Sequence, residues 1–257
     1  MKKITGALLI LAGITAMTGC AKKKVVEIND ASDLEGLAIG VQAGTTGETY
    51  VLDVKDADVH SFKTGIDAAL ALKNGNIDAI VLDELPAKEI VKNNDDLKIC
   101  EVKFVSEFYS IAVHKGDTAL LNSINKTLKT IRENGKYDEM LSVYVPTDGS
   151  EISFMNVPLT GSNGTLKVGT NAAFPPFEYK EGSDVVGFDI TLCSYIANDL
   201  NKKLEIKDMN FNSLLTALES GAIDCIAAGM TANDERRQSV DFSEPYFESN
   251  QVIIIRK

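Results

Sequence analysis

Short apolar runs recur along this chain, each opening into a polar loop and then into apolar residues at helical spacing. Residues 37–41 read as a strand that runs into Gly44-Thr45-Thr46-Gly47-Glu48, with a helix starting near Thr46. The same alternation predicts a helix over 64–73, a strand over 77–82, a helix over 85–93 and a strand over 97–105. Residues 109–114 form a further strand; Asp117 is the N-cap signal for a helix over 118–134, which Gly135 ends. Another strand is expected at 166–169 and a last one, rich in β-branched residues, at 251–255. Strands alternating with helices imply parallel βαβ layers, so the fold class is α/β.

An internal echo divides the chain in two. Residues 72–81 (LKNGNIDAIV) match residues 218–227 (LESGAIDCIA), and each copy passes from a helix-like pattern into a buried strand. Two α/β units are therefore expected, with boundaries at 26–107 and 108–257. Residues 146–164 carry turn formers without periodicity and read as a linker inside the second unit. In parallel sheets, ligands bind at the carboxyl ends of strands, where the loops singled out below all begin.

The first residues stand apart. Lys2 and Lys3 precede an apolar stretch that ends at Thr18-Gly19-Cys20, the pattern of a secretion signal (residues 1–20). The Thr-Gly-Cys end resembles a lipoprotein box, which implies lipidation of Cys20 and a membrane anchor at the outer face of the cytoplasmic membrane. With 26 basic against 37 acidic residues the net charge is −11, which argues against nucleic acid as a partner. Cys100, Cys193 and Cys225 show no metal-ligand spacing, and His60 and His114 no partner pattern, so neither a metal nor another cofactor is expected. Cys193 and Cys225 fall on apolar faces and read as buried thiols.

The stretch 221–246 (GAIDCIAAGMTANDERRQSVDFSEPY) concentrates the candidate chemistry. A buried strand opens into Gly229-Met230-Thr231, and Arg236 follows, a guanidinium able to hold a carboxylate through two parallel bonds. This stretch, with LKVGTNAAFPPFEYKEG and VVGFDITLCSYIANDL before it, resembles the extracellular solute-binding proteins of polar amino-acid ABC importers (family 3). Residues 33–145, including GLAIGVQAGTTGETY and NGNIDAIVLDELPA, resemble that family's second half. The halves stand in reversed order, so the resemblance implies a two-lobed, periplasmic-binding-protein-like (type II) fold in circular permutation. On that reading one covalent crossing near residues 105–109 links the lobes, which would ease lobe exchange between chains. A monomer is expected, and a lobe-exchanged dimer is the alternative.

The resemblance also implies a function: capture of a free amino acid by lobe closure for an ABC permease. Arg236 would hold the α-carboxylate with backbone N–H groups of Thr231 and Thr46, beside Thr45. Asp83, the Gly229 carbonyl and the Thr231 hydroxyl would hold the α-ammonium, although Asp83 also suits a helix N-cap. Phe174 and Phe211 would sandwich the ligand side chain. Asn171 and Gln42 stand where some relatives have an acid and a lysine, and their neutrality leans towards a neutral polar ligand, a balance that Glu178 could alter. Thr191, at another usually acidic position, is expected on a helix surface. Enzymatic activity is not expected; a cyclohexadienyl-dehydratase-like reaction would have only Glu178 and Asp83 as nearby acid–base candidates. A sensor module for a signalling partner is the other alternative.

Overall fold

A computed structural model describes residues 25–257. The expected secretion signal (residues 1–20) and its Cys20 lie outside the described residues. The first unit contains β1 (Ala38–Gln42), α1 (Thr46–Leu52), β2 (Asp58–Phe62), α2 (Gly65–Asn74), β3 (Ala79–Asp83), α3 (Glu84–Lys92) and β4 (Leu97–Tyr109). β5 (Ala112–His114), α4 (Thr118–Glu133), α5 (Lys136–Tyr144), β6 (Thr165–Thr170), β7 (Ala173–Phe174), β8 (Glu178–Glu181) and β9 (Asp184–Val186) follow. The chain closes with α6 (Phe188–Asp199), β10 (Lys203–Asp208), α7 (Leu214–Glu219), β11 (Cys225–Ile226), β12 (Val240–Phe242) and β13 (Phe247–Arg256). The fold is α/β, as the alternation predicts.

Two five-stranded sheets repeat one plan. Their orders are β2-β1-β3-β13-β4 and β10-β6-β11-β5-β12, the first three strands parallel and the last two pairings antiparallel in each. The sequence echo has the same structural meaning in both sheets. Gly75 and Gly221 end α2 and α7 in left-handed conformations (φ 77° and 75°), which glycine adopts without a steric penalty. Asp78 and Asp224 then bind the neighbouring strand through backbone and carboxylate, accepting from Ala38 N and Lys167 N. Local capping agrees with the sequence: Thr64 Oγ1 accepts from Asp67 N and Asp117 Oδ1 from Leu120 N. Gly135 (φ 79°) does not close the helical region but separates α4 from α5.

The reading of one covalent crossing is corrected. β4 leads from the first sheet towards β5 in the second, and β13 returns from the second to lie between β3 and β4 of the first. Residues 251–256, inside the 108–257 boundary of the second unit, pair beside the crossing strand β4 as their β-branched character allows and so complete the first sheet, but they reach it through a second peptide link. The cause is tertiary: Val252 and Ile254 pack with the α2–α3 side of that sheet, while Ile253 and Ile255 pack on its opposite face with Val26, Ile28 and Val51. The two crossings bond to each other, Tyr246 N to Tyr109 O (2.8 Å) and Ser243 N to Ile111 O (2.9 Å). A hinge of two paired strands removes the stated reason for easy lobe exchange.

Residues 146–164 contain neither helix nor strand, yet they are packed. Ile152 and Met155 lie against the core, and Met155 N donates to Tyr144 Oη (2.9 Å). Tyr144 Oη in turn is 2.7 Å from Thr191 Oγ1, and Thr191 is buried, not on a helix surface as expected. A carboxylate there would be enclosed under this segment without a counter-charge, and a hydroxyl is not. Lys92 on α3 also pairs with Glu151, joining the segment to the first lobe.

Candidate functional site

The carboxyl ends of β1, β3, β6 and β11 face each other across the gap between the lobes. There they line a shared, narrow pocket. Gln42, Thr45, Thr46 and Asp83 line it from the first lobe, and Asn171, Phe174, Phe211, Gly229, Thr231 and Arg236 from the second. Ten expected residues thus come together from segments far apart in sequence. A larger, mostly apolar groove lies between α2, α3 and Pro175, but of the two it is the smaller pocket that charged and amide groups from both lobes line.

Arg236 is 7% exposed. Its Nη1 donates to Thr231 O (2.8 Å) and its Nη2 crosses the gap to Gly44 O (2.9 Å). The guanidinium carbon stands 5.5 Å from the centroid of the Phe211 ring, a cation–π contact that fixes its plane. Phe211 therefore supports Arg236 as well as walling the pocket. Two of the five guanidinium N–H donors are used in these bonds, leaving three for a carboxylate.

Asp83 ends β3 and precedes α3, yet its side chain makes no capping bond. It accepts instead from Tyr109 OH on the hinge strand (2.5 Å). Burial, and next the nearby Glu107, push its carboxyl up to about 7, with the Tyr109 bond opposing. The helix-cap alternative is thereby excluded. Thr45 does serve as a cap: its Oγ1 accepts from Glu48 N and donates to Gln42 O, which turns the hydroxyl away from a ligand. Thr46 lies in the first turn of α1, where backbone N–H groups have no intrahelical acceptor.

The lobes already touch across the pocket. Gln42 Nε2 donates to Asn171 Oδ1 (2.9 Å), and Asn171 Nδ2 donates to Met209 O (2.8 Å). Gly44 (φ 79°) comes so close that a Cβ there would lie 2.9 Å from Asn212 Cβ. Gly229 (φ 54°) is equally constrained, since a Cβ would lie 2.7 Å from the Phe174 ring. Gly229→Ala is expected to destabilise the protein by about 1–3 kcal/mol through overpacking and left-handed strain. Urea denaturation of variant and wild type checks this.

Sequence reasoning underweighted the acids. Glu178 also lines the pocket, fully buried, and neither of its carboxyl oxygens has a hydrogen-bond partner among the described residues. A lone Glu within the aromatic run FPPFEY was the available signal. Glu107, also buried, accepts from Tyr50 OH (2.9 Å) and Gln251 Nε2 (2.8 Å) behind the site. Asp189 lies behind Glu178. Four buried carboxyl groups thus stand against one guanidinium in this region. Among the described residues, no group of three or more His, Cys, Asp or Glu could hold a metal ion. Cys100, Cys193 and Cys225 are buried free thiols.

Residues 166–257 match the family model for bacterial extracellular solute-binding proteins, family 3, so over that stretch the resemblance seen in the motifs is borne out. The arginine-binding extracellular protein ArtP of Bacillus subtilis is 46% identical over 92 residues, 36% of each chain. The ABC transporter glutamine-binding protein GlnH of the same organism is 38% identical over 77 residues, 29% of this chain and 28% of GlnH. A solved ancestral arginine-binding protein bound to arginine shares 52% identity over 33% of this chain and 38% of its own, with a TM-score of 0.32. The chain spans about a third of the length of the curated relatives it matches.

Proposed function

Starting from residues 166–257 as a segment of the family-3 extracellular solute-binding proteins, we propose that this chain captures a free amino acid between its lobes and delivers it to an ABC permease. The observation that supports this is the convergence of Arg236 and Asp83, one from each lobe, on a single buried pocket. A zwitterion enclosed there needs both backbone charges neutralised, because an unpaired buried charge is costly. Arg236 with the Thr46 N–H takes the α-carboxylate; Asp83, the Gly229 carbonyl and the Thr231 hydroxyl take the α-ammonium. Phe174 and Phe211 wall the side chain.

The lean towards a neutral ligand rested on Asn171 and Gln42 alone. Glu178, which lines the pocket without a donor among the described residues, and the excess of buried carboxyl groups favour a basic amino acid, arginine first among those to test. A glutamine-like ligand is the second choice, favoured by the paired amides of Gln42 and Asn171.

We also read the lobes as permuted relative to the family. In support, β13 and residues Val26 and Ile28 share one apolar cluster on the first lobe. Export and anchoring through Cys20 belong to the same reading; Cys20→Ser is expected to move the protein from the membrane fraction to the soluble one. The function itself is tested by a thermal-shift screen over the twenty amino acids. A ligand at about a hundred times its Kd adds about 2.7 kcal/mol of stability and raises Tm visibly. If no amino acid shifts the midpoint, the reading fails.

A further inference from the structure

Three carboxyl oxygens at the centre of the second lobe lack a donor among the described residues. They are Oε1 and Oε2 of Glu178 and Oδ1 of Asp189, in residues with no exposed surface. Asp189 Oδ2 differs: it accepts from Gly229 N (2.9 Å) and Tyr246 OH (2.6 Å). Glu178 lines the ligand pocket and lies against Asp189 at the same time. Two adjacent carboxyl groups in a dry environment cannot both ionise without large repulsion. A single proton held between them would join an oxygen of Glu178 to Asp189 Oδ1, the Asp189 oxygen without a donor. The second Glu178 oxygen is then left to meet a ligand.

We propose that Glu178 and Asp189 share one proton, and that keeping or releasing it decides whether the pocket takes a neutral or a cationic side chain. The inference rests on the amino-acid-binding reading above and specifies its selectivity. With the proton retained, the pair carries a single negative charge and Glu178 offers an acceptor to an amide. With the proton released to solvent, Glu178 becomes a carboxylate that pairs with a guanidinium or ammonium group. Charge balances in both cases: a cation enters as a proton leaves, or a neutral side chain enters and the proton stays.

The surroundings keep the titration local. Burial, and then Asp189, hold the Glu178 carboxyl well above its ordinary range. Burial pushes Asp189 up to about 6, with the Tyr246 and Gly229 bonds opposing. Tyr246, ahead of β13, and Cys193 on α6 face the pair; burial raises both well above their usual values, so they stay neutral. Cys225 on β11 lies behind Cys193 and is raised to about 12. Asp83 reaches the pair from β3 across the gap, with Tyr109 on it. Since Asp83 would meet the α-ammonium of any amino acid, its titration cancels when two amino acids are compared.

The test is the ratio of affinities for L-arginine and L-glutamine, measured by calorimetry from about pH 5 to about pH 8. The ratio is expected to rise with pH by up to about tenfold per unit while Glu178 remains protonated in the free protein. Calorimetry in buffers of different ionisation enthalpy is expected to show more proton release with arginine than with glutamine. Glu178→Gln is expected to flatten the ratio against pH. A constant wild-type ratio, or binding of only one of the two amino acids at every pH, overturns the shared proton. Failure of every amino acid to bind overturns the functional reading instead.

Discussion

Arg236→Ala is expected to lose amino-acid binding while the fold stays intact. Removing one member of a buried, hydrogen-bonded charge pair costs about 2–5 kcal/mol, or roughly thirtyfold to several thousandfold in Kd. The variant also frees Thr231 O and Gly44 O, so part of the loss comes from weaker closure between the lobes. Arg236→Lys is expected to recover little, because an ammonium cannot bridge both carbonyls and still present a parallel pair of donors to a carboxylate. Calorimetric titration gives the affinity, and circular dichroism with the urea midpoint shows whether the fold survives. Wild-type affinity in Arg236→Ala would remove the residue from the site.

The second large effect concerns pH and Asp83. Its carboxyl is pushed up to about 7, chiefly through burial and then Glu107. An α-ammonium pairs with the ionised form, so binding below that value must first expel a proton from Asp83. The Asp83 contribution to affinity, common to every amino acid, is therefore expected to be greatest above pH 7 and to fall by up to about tenfold per unit below it. Asp83→Asn is expected to weaken binding by about 2–5 kcal/mol and to remove that shared component of the pH dependence. Titrations of wild type and variant across the same pH series check both statements. A flat wild-type profile would mean that the ammonium is held elsewhere.

Much of the site was legible because its residues sit at punctuated places in the chain. A strand that ends in Gly-Met-Thr, a capped Gly-Thr-Thr turn and an aspartate at the end of an all-apolar strand are local patterns. Tertiary folding brought them together without altering them. Asp83 was ambiguous for the same local reason, since an aspartate before a helix serves equally as a cap; only Tyr109, 26 positions later, decides which way its carboxylate turns. Glu178 could be seen but not weighed. Its importance comes from lying against Asp189 with no donor on its oxygens among the described residues, and that is a property of everything packed around it.

Element type, the twofold plan and the chemistry of the pocket are set by short-range spacing: apolar alternation, a glycine after α2 and α7, an aspartate within each repeat. The hinge is different. The β-branched run near the C-terminus guarantees a strand but does not say which sheet receives it. That follows from the burial of Val252 and Ile254 on one face and Ile253 and Ile255 on the other, between two strands already in place. Thr191 belongs with it, because whether that position faces water depends on a covering segment about 40 residues away in sequence, and side-chain periodicity has no knowledge of what will lie on top.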